Sequence, residues 1–548
     1  MKALNTNDLK SGTVVTAAVT LICLAPFLGK AFHIDDPLFI WSGKQIVSKP
    51  ADFYGFDVNW YGREMPMSEV MKNPPTASYY IGFVGKFIGW SEIALHTAFL
   101  IPALFCSLGT YYLAKHFCEA PLIAALAGVL TPVFLVSGSN VMCDTMMLAF
   151  WVWAVFFWVR GIKSDNRLDL LISAFMIAIC ALTKYFGMSL LVLLLVYSIF
   201  EKRRLGIWLL FLLIPTVILA GYQWATFTLY GRGLLLDAAA YASRRNLIKH
   251  AKFFSKGLTA LAFTGGCVAT VIFYSTLIWS RRVLLAGLAA VIVLIIALSF
   301  TQKIGEFTIN NADGVQWGFV VQFAVMVVGG AAVLSLASLD FFKHRNADAL
   351  LLLLWVLGTF VFAAFVNWAV NARSILPMVP AVGILLARRI EKVAAKTQKK
   401  IWKMSWPLVP AMFVAMMVTS ADYALANSAK NAANSFDSKY KASTSNIWFE
   451  GHWGFQYYMQ EYGFNPLDYK DMKCAQGDII IIPSNNTNIQ KLSDKKVRPV
   501  DIFSFTPLRR LSTMHPSVGA GFYADVWGPL PFAIGKVQEE KYYVFKVK

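Results

Sequence analysis

Thirteen stretches free of Asp, Glu, Lys and Arg punctuate this chain, at 11–29, 93–114, 120–143, 145–159, 170–183, 185–200, 205–231, 257–280, 283–302, 315–339, 349–372, 374–387 and 404–421. A helix needs about 20 predominantly apolar residues to cross a bilayer. Most of the stretches have that length, whereas 145–159, 170–183 and 374–387 need flanking residues or tilt. Only 15% of the 548 residues are charged and 57% are hydrophobic, against roughly 25% charged in a typical soluble domain. A soluble enzyme, a disordered chain and a disulfide scaffold are excluded. The expectation is a polytopic α-helical membrane protein with about thirteen transmembrane helices. The first apolar run is too long for a cleavable signal and is followed by an acidic segment, so it reads as the first span.

The net charge of +19 reads as topology once its distribution is followed. With the N-terminus in the cytoplasm, every short inside loop carries Lys or Arg, and the loop at 388–403 alone holds seven, as the positive-inside rule requires. Thirteen crossings then put the C-terminus outside. No nucleic-acid partner is expected. The seven cysteines are scattered without a C-x-x-C pair, so they read as small buried hydrophobes, and no metal site is assigned. The membrane part is expected over 1–424, with outside loops at about 30–92 and 228–256. The first of these is large enough to carry interfacial helices. From 425 to 548 the pattern is that of a small α/β domain: a polar helix near 425–440, strand Ile447–Phe449, helix Phe455–Tyr462, strand Asp478–Ile482 and a final strand Tyr542–Val547.

Several outside residues can carry chemistry. In His33-Ile34-Asp35-Asp36-Pro37, Pro37 suits a first helical turn and makes Asp36 a natural N-cap. Asp35 has no such duty and can serve as a general base at the membrane boundary. Asn59-Trp60-Tyr61-Gly62 and Lys72-Asn73-Pro74-Pro75-Thr76-Ala77-Ser78-Tyr79-Tyr80 follow. The double proline forces a new helix start there, and Asn59, Tyr61, Asn73 and Tyr79 are candidates to line a cavity. Asp144, a further candidate to line the cavity, opens the fourth span from outside, where the helix dipole favours its charge and a capping role.

The outside loop after the seventh span carries Arg232, Arg244, Arg245, Lys249, Lys252 and Lys256 against one acid, Asp237. Cations in excess on that side fit either lipid headgroups or a phosphate-bearing substrate. Lys184 and Arg373 also lie where apolar spans meet the outside, positions at which an ionisable group is a functional candidate. No G-x-G-x-x-G or G-x-x-x-x-G-K-[ST] loop occurs on an inside segment, which disfavours a nucleotide-driven pump.

In the order of these motifs the chain resembles the GT-C glycosyltransferases, in the family of the protein O-mannosyltransferases and the lipid A aminoarabinose transferase. The resemblance covers roughly 10–390. It rests on the acidic pair after the first span, the Asn73-Pro74-Pro75 re-entry, the Asp144-led span, Thr183-Lys184-Tyr185-Phe186-Gly187 and Arg373 before Leu376-Pro377. It implies a GT-C fold and a polyprenyl-phosphate-linked sugar as donor. It also implies inverting transfer to a protein, lipid A or glycan acceptor on the periplasmic face of a bacterial cytoplasmic membrane. Asp35 matches the family's catalytic acidic position, and Asp36 beside it, where Glu often stands, is the second catalytic candidate. Arg244, Arg245, Lys184 and Arg373 become candidates for the donor phosphate. The aminoarabinose branch has Glu-Lys-Pro where this chain has Lys72-Asn73-Pro74. A divalent cation stays open as cofactor. The competing class is a transporter or flippase of a lipid-linked sugar.

Overall fold

The computed structural model describes residues 6–247, 253–312, 314–441 and 445–548, with side chains described for all of these except 6–10 and 242–247. Every one of the thirteen apolar stretches is helical. Among the described residues eight helices are long and apolar enough to cross a membrane, and two bent pairs bring the number to as many as ten. The other three stretches give shorter or more charged helices. These are Ser11–Phe27, Arg167–Thr183 of 17 residues, and Val379–Thr397, whose second half carries Arg388, Arg389 and Lys392.

The stretch 120–143 is not one continuous span. Its helices Pro121–Val129 and Pro132–Gly138 meet at 66°. Pro132 has no N–H to continue the first helix and holds Thr131 extended (φ −110°, ψ 144°), and the Thr131 hydroxyl then accepts the Phe134 N–H. The break delivers the buried turn Ser139-Asn140-Val141 to the loop side of the molecule. The helix after it, Cys143–Ser164, is central and largely buried, whereas Arg281–Ser299 is peripheral and mostly exposed, with Leu294, Ile295 and Leu298 on its packed side.

Helices Phe253–Cys267 and Trp317–His344 approach through glycine. A Cβ on Gly265 would run into the Met326 carbonyl, and one on Gly330 into that of Leu261. Small residues let membrane helices pack at this closeness. Gly265→Leu is therefore expected to destabilise the bundle by about 1–3 kcal/mol, read as a lowered melting temperature in detergent.

The first outside loop holds helix Asp36–Ser48, a hairpin pairing Asp57–Asn59 with Glu64–Pro66, and helix Thr76–Phe87, which starts directly after Pro74-Pro75. The two helices cross where Gly43 meets Ser78 and Gly82. The last long helix, Leu408–Tyr440, runs 33 residues without interruption. The expected boundary at 424/425 therefore lies inside one helix. The C-terminal sheet has five strands in the order Val497–Phe505, Glu540–Val547, Ile479–Pro483, Ile447–Phe449, Asn465–Pro466. Val497–Phe505 is absent from the sequence reading because Pro499 interrupts its alternation. As an edge strand it tolerates Pro499, with a register shift between Pro499 and Asp501.

Glu540, on the second strand of that sheet, is buried, with Asn485 donating to Oε1 at 2.7 Å. Burial pushes its carboxyl up to about 7 from 4.5. The folded state thus prefers the protonated acid, so the associated stability is full below about 4.5 and is lost as pH rises through about 7. Glu540→Gln should raise stability at pH 8 by roughly 1–3 kcal/mol, a gain that shrinks toward pH 5. Thermal melts of the full-length protein across pH check this.

Candidate active site

The site begins at a strained turn. Ile34 has φ 46°, a left-handed conformation that a β-branched residue avoids unless its surroundings impose it. The surroundings are on either side: the Phe32 N–H donates to Tyr458 Oη at 2.8 Å, and Asp36 takes the His33 N–H on Oδ2 (2.7 Å) and the Val141 N–H on Oδ1 (2.9 Å). Asp36 is fully buried. It does not cap helix Asp36–Ser48, whose preceding residue is Asp35. Instead it ties the turn to the 139–141 segment. Burial raises its carboxyl to about 7, against the opposing pull of Lys30 and the two N–H groups.

Asp35 points to a different environment. Its Oδ2 lies 2.9 Å from Arg373 Nη2, and about a quarter of its side chain is exposed (26%), so a reactant can reach it. Arg373 sits on the short helix Ala372–Ile375, which Asn371 caps by accepting the Ser374 N–H at 2.8 Å. The Arg373 guanidinium stands 5.7 Å over the Tyr523 ring, and its Nη1 is 3.8 Å from Asp144 Oδ2. Asp144 Oδ1 pairs with Lys184 Nζ at 2.5 Å. Lys184 is extended (φ −151°, ψ 131°) between helix Arg167–Thr183 and the 3₁₀ turn Tyr185–Met188. Asp35, Arg373, Asp144 and Lys184 thus form one chain of alternating charge. Asp144 occupies the first turn of its helix, but its carboxylate faces Lys184 and Arg373 rather than capping. Arg373 Nε and Asp144 Oδ2 are buried without a hydrogen-bond partner.

The other expected residues lie elsewhere. Asn59 Nδ2 donates to the Leu467 carbonyl at 3.1 Å, joining the hairpin to the C-terminal domain. Tyr61 is half-buried against the core. The Asn73 carbonyl accepts the Tyr54 hydroxyl at 2.8 Å, and Tyr79 donates to the Pro50 carbonyl at 2.6 Å. In the basic loop, Arg232 pairs with Glu69 at 3.5 Å and Asp237 with Lys72 at 2.5 Å, so the first loop offsets one cation but also occupies the basic loop's one acid, and the charge excess stands. Arg244 and Arg245 belong to helix Leu234–Leu247, but their side chains, like Lys249 and Lys252 altogether, lie outside the described residues. Among the described residues no three His, Cys, Asp or Glu side chains group to hold a metal ion.

Sequence reasoning missed a buried polar network beside the site. Lys30, with no exposed surface, donates to Asp422 Oδ2 and Asn140 Oδ1 at 2.5 Å each and to Ser139 Oγ at 3.4 Å. Asp422 also accepts from Thr513 (2.7 Å) and Tyr523 (2.8 Å), and Asn140 Nδ2 donates to the Tyr523 hydroxyl at 3.0 Å. Burial brings the His33 imidazole down to about 4, so it stands neutral 3.9 Å from Asp422. The C-terminal segment holds the Arg373 helix directly as well, since Ala372 N donates to Phe522 O at 2.8 Å. The available signal was a lone Lys and a lone Asp flanking the first and last apolar stretches.

Over 83% of its length the chain superposes on the apo oligosaccharyltransferase of Archaeoglobus fulgidus, with TM-score 0.51 and 14% identity. The fold is that of the GT-C glycosyltransferases. The same archaeal enzyme tethered to an acceptor peptide containing the NVT sequon matches this GT-C fold with TM-score 0.50 and 13% identity, over 87% of this chain and 68% of that one. The chain spans less than two thirds, 64%, of the apo archaeal enzyme. ArnT from Cupriavidus metallidurans bound to undecaprenyl phosphate is similar at TM-score 0.41 and 13% identity, over 88% of this chain and 94% of that one. Residues 72–224 match the family described as dolichyl-phosphate-mannose-protein mannosyltransferase. That segment contains Asp144 and Lys184 but neither Asp35 nor Arg373. No curated protein matches the sequence.

Proposed function

We propose that this GT-C protein is an inverting glycosyltransferase, moving a sugar from a polyprenyl-phosphate donor to an acceptor on the periplasmic face of a bacterial cytoplasmic membrane. One observation carries the reading: a reachable carboxylate, Asp35, ion-paired at 2.9 Å to Arg373 in a cluster that also holds Asp144 and Lys184. Asp35 takes the proton of the acceptor hydroxyl or amine as that atom bonds to the anomeric carbon from the face opposite the leaving group. The bond from that carbon to the phosphate oxygen breaks, and the lipid phosphate leaves with the electron pair. Negative charge grows on that phosphate, where preorganised donors act most strongly. The unpartnered Arg373 Nε–H is one such donor, and Lys184 is the second, turning from Asp144 to the phosphate. Arg244 and Arg245, on helix Leu234–Leu247, complete the proposed phosphate-binding set.

The bent helix pairs, at 66° and 82°, favour a second reading, a flippase for the lipid-linked sugar, because broken helices build transport sites. Purified protein in detergent, given labelled polyprenyl-phosphate sugar and envelope acceptors, separates the two. Labelled acceptor together with free lipid phosphate supports transfer. Lipid movement across proteoliposomes without a covalent product overturns it.

A further inference from the structure

A second concavity, of about 630 Å³, opens where the first outside loop meets the C-terminal domain. Its volume falls in the range of ligand sites. Two indoles line it. Trp41, on helix Asp36–Ser48, is half-buried and packs edge-on against Trp60 at 6.1 Å, and Trp448 is fixed by a 3.0 Å hydrogen bond from Nε1 to Asp478. Asn59 lines the same groove, only 7% exposed, its amide NH₂ engaged by Leu467 while its Oδ1 has no partner. A buried acceptor left unpaired is costly, and a turn of the Asn59 side chain toward the groove would let a ligand donor pair it.

The charges around the groove sort by what they already hold. Lys44 pairs with Glu461 at 2.9 Å and Lys473 with Asp471 at 3.0 Å. Asp468 takes the N–H groups of Glu64 and Lys470 at 2.9 and 2.7 Å. The side chains of Asp57 and Glu64 form no ion pair among the described residues and are exposed. Carboxylates outnumber ammonium groups along the lining by five (Asp57, Glu64, Glu461, Asp468, Asp471) to two (Lys44, Lys473), and the Gln460 amide adds a donor and an acceptor beside the two indoles. An anionic ligand is repelled, and a purely apolar one leaves Asn59 unpaired. A ring with several hydroxyl donors on its edge and C–H groups on its face satisfies every part.

We propose that this groove binds a carbohydrate, the glycan portion of the acceptor, an inference that rests on the transfer reading above. Helix Asp36–Ser48 supports the placement, since Trp41 and Gln45 lie about 9 and 15 Å along its axis from Asp35 at about 1.5 Å per residue. A short oligosaccharide is long enough to bridge that spacing.

The test is retention of the full-length protein in detergent on an array of neutral and amino-sugar oligosaccharides, with an oligolysine peptide as the competing probe. Wild type should retain oligosaccharide, and Trp41→Ala and Asn59→Leu should each weaken that binding at least tenfold. The exposed double variant Asp57→Asn/Glu64→Gln provides the same readout without touching a buried contact. The proposal is overturned if no oligosaccharide binds, if binding is indifferent to these variants, or if oligolysine is preferred. Release of lipid phosphate from labelled donor, measured on the wild-type preparation, reports separately on the Asp35 centre. Glycan binding without donor turnover removes the transferase reading and with it the acceptor role, leaving a carbohydrate site, and donor turnover without glycan binding removes the groove alone.

Discussion

Asp35→Asn should lower sugar transfer by about 10²–10⁴-fold, the range over which a positioned general base contributes. The substitution keeps the size of the side chain and an oxygen facing Arg373, and takes away the capacity to accept a proton. The fold should survive it. Asp35 makes no side-chain cap to helix Asp36–Ser48, and the turn is anchored by Asp36 through the His33 and Val141 N–H groups. Initial rates with labelled polyprenyl-phosphate sugar, alongside melting temperatures, check both halves. Near-normal turnover would remove the base assignment. Loss of rate together with loss of melting temperature would make Asp35 a structural residue, which is the behaviour expected of Asp36→Ala.

The contrast between those neighbours marks how far the sequence could be read. Charge-free runs are a direct imprint of the bilayer, so the positions of the apolar helices were legible, though not which of the thirteen stretches are long enough to cross, and Asp35, Arg373, Asp144 and Lys184 stood out as ionisable groups at the edges of such runs. The break at Thr131-Pro132 does not follow from the sequence, because whether a proline kinks or divides a helix depends on what its neighbours offer the freed backbone groups. Asp36 looked like a cap because Pro37 follows it, whereas its true partners include an N–H 105 residues away. Long-range polar pairing has no local signature, and the same holds for Lys30 with Asp422, 392 residues apart. The cluster of cations in the 228–256 loop was legible as charge but not as pairing, since Lys72 and Glu69, which meet Asp237 and Arg232, come from another loop.

That distant pair sets the second large effect. Lys30 and Asp422 are both without exposed surface, and removing one member of a buried pair leaves the other charged and unpaired, at a cost of about 3–5 kcal/mol. Lys30→Met should therefore lower the melting temperature more than any surface substitution and open the C-terminal domain to protease, because Asp422 also holds Thr513 and Tyr523. Transfer should fall as well, since the Tyr523 ring underlies Arg373. Adding Asp422→Asn to Lys30→Met removes the stranded charge while keeping an oxygen for Thr513 or Tyr523, so the double variant should be more stable than Lys30→Met alone. If the two substitutions instead add independently, the pair is not coupled and does not join the C-terminal domain to the reaction centre. A double-mutant cycle read by thermal melts and by limited proteolysis distinguishes these results. Recovered stability without recovered transfer would assign the ammonium of Lys30 to positioning the Asn140 side of the turn, through the two hydrogen bonds to Ser139 and Asn140 that methionine cannot make.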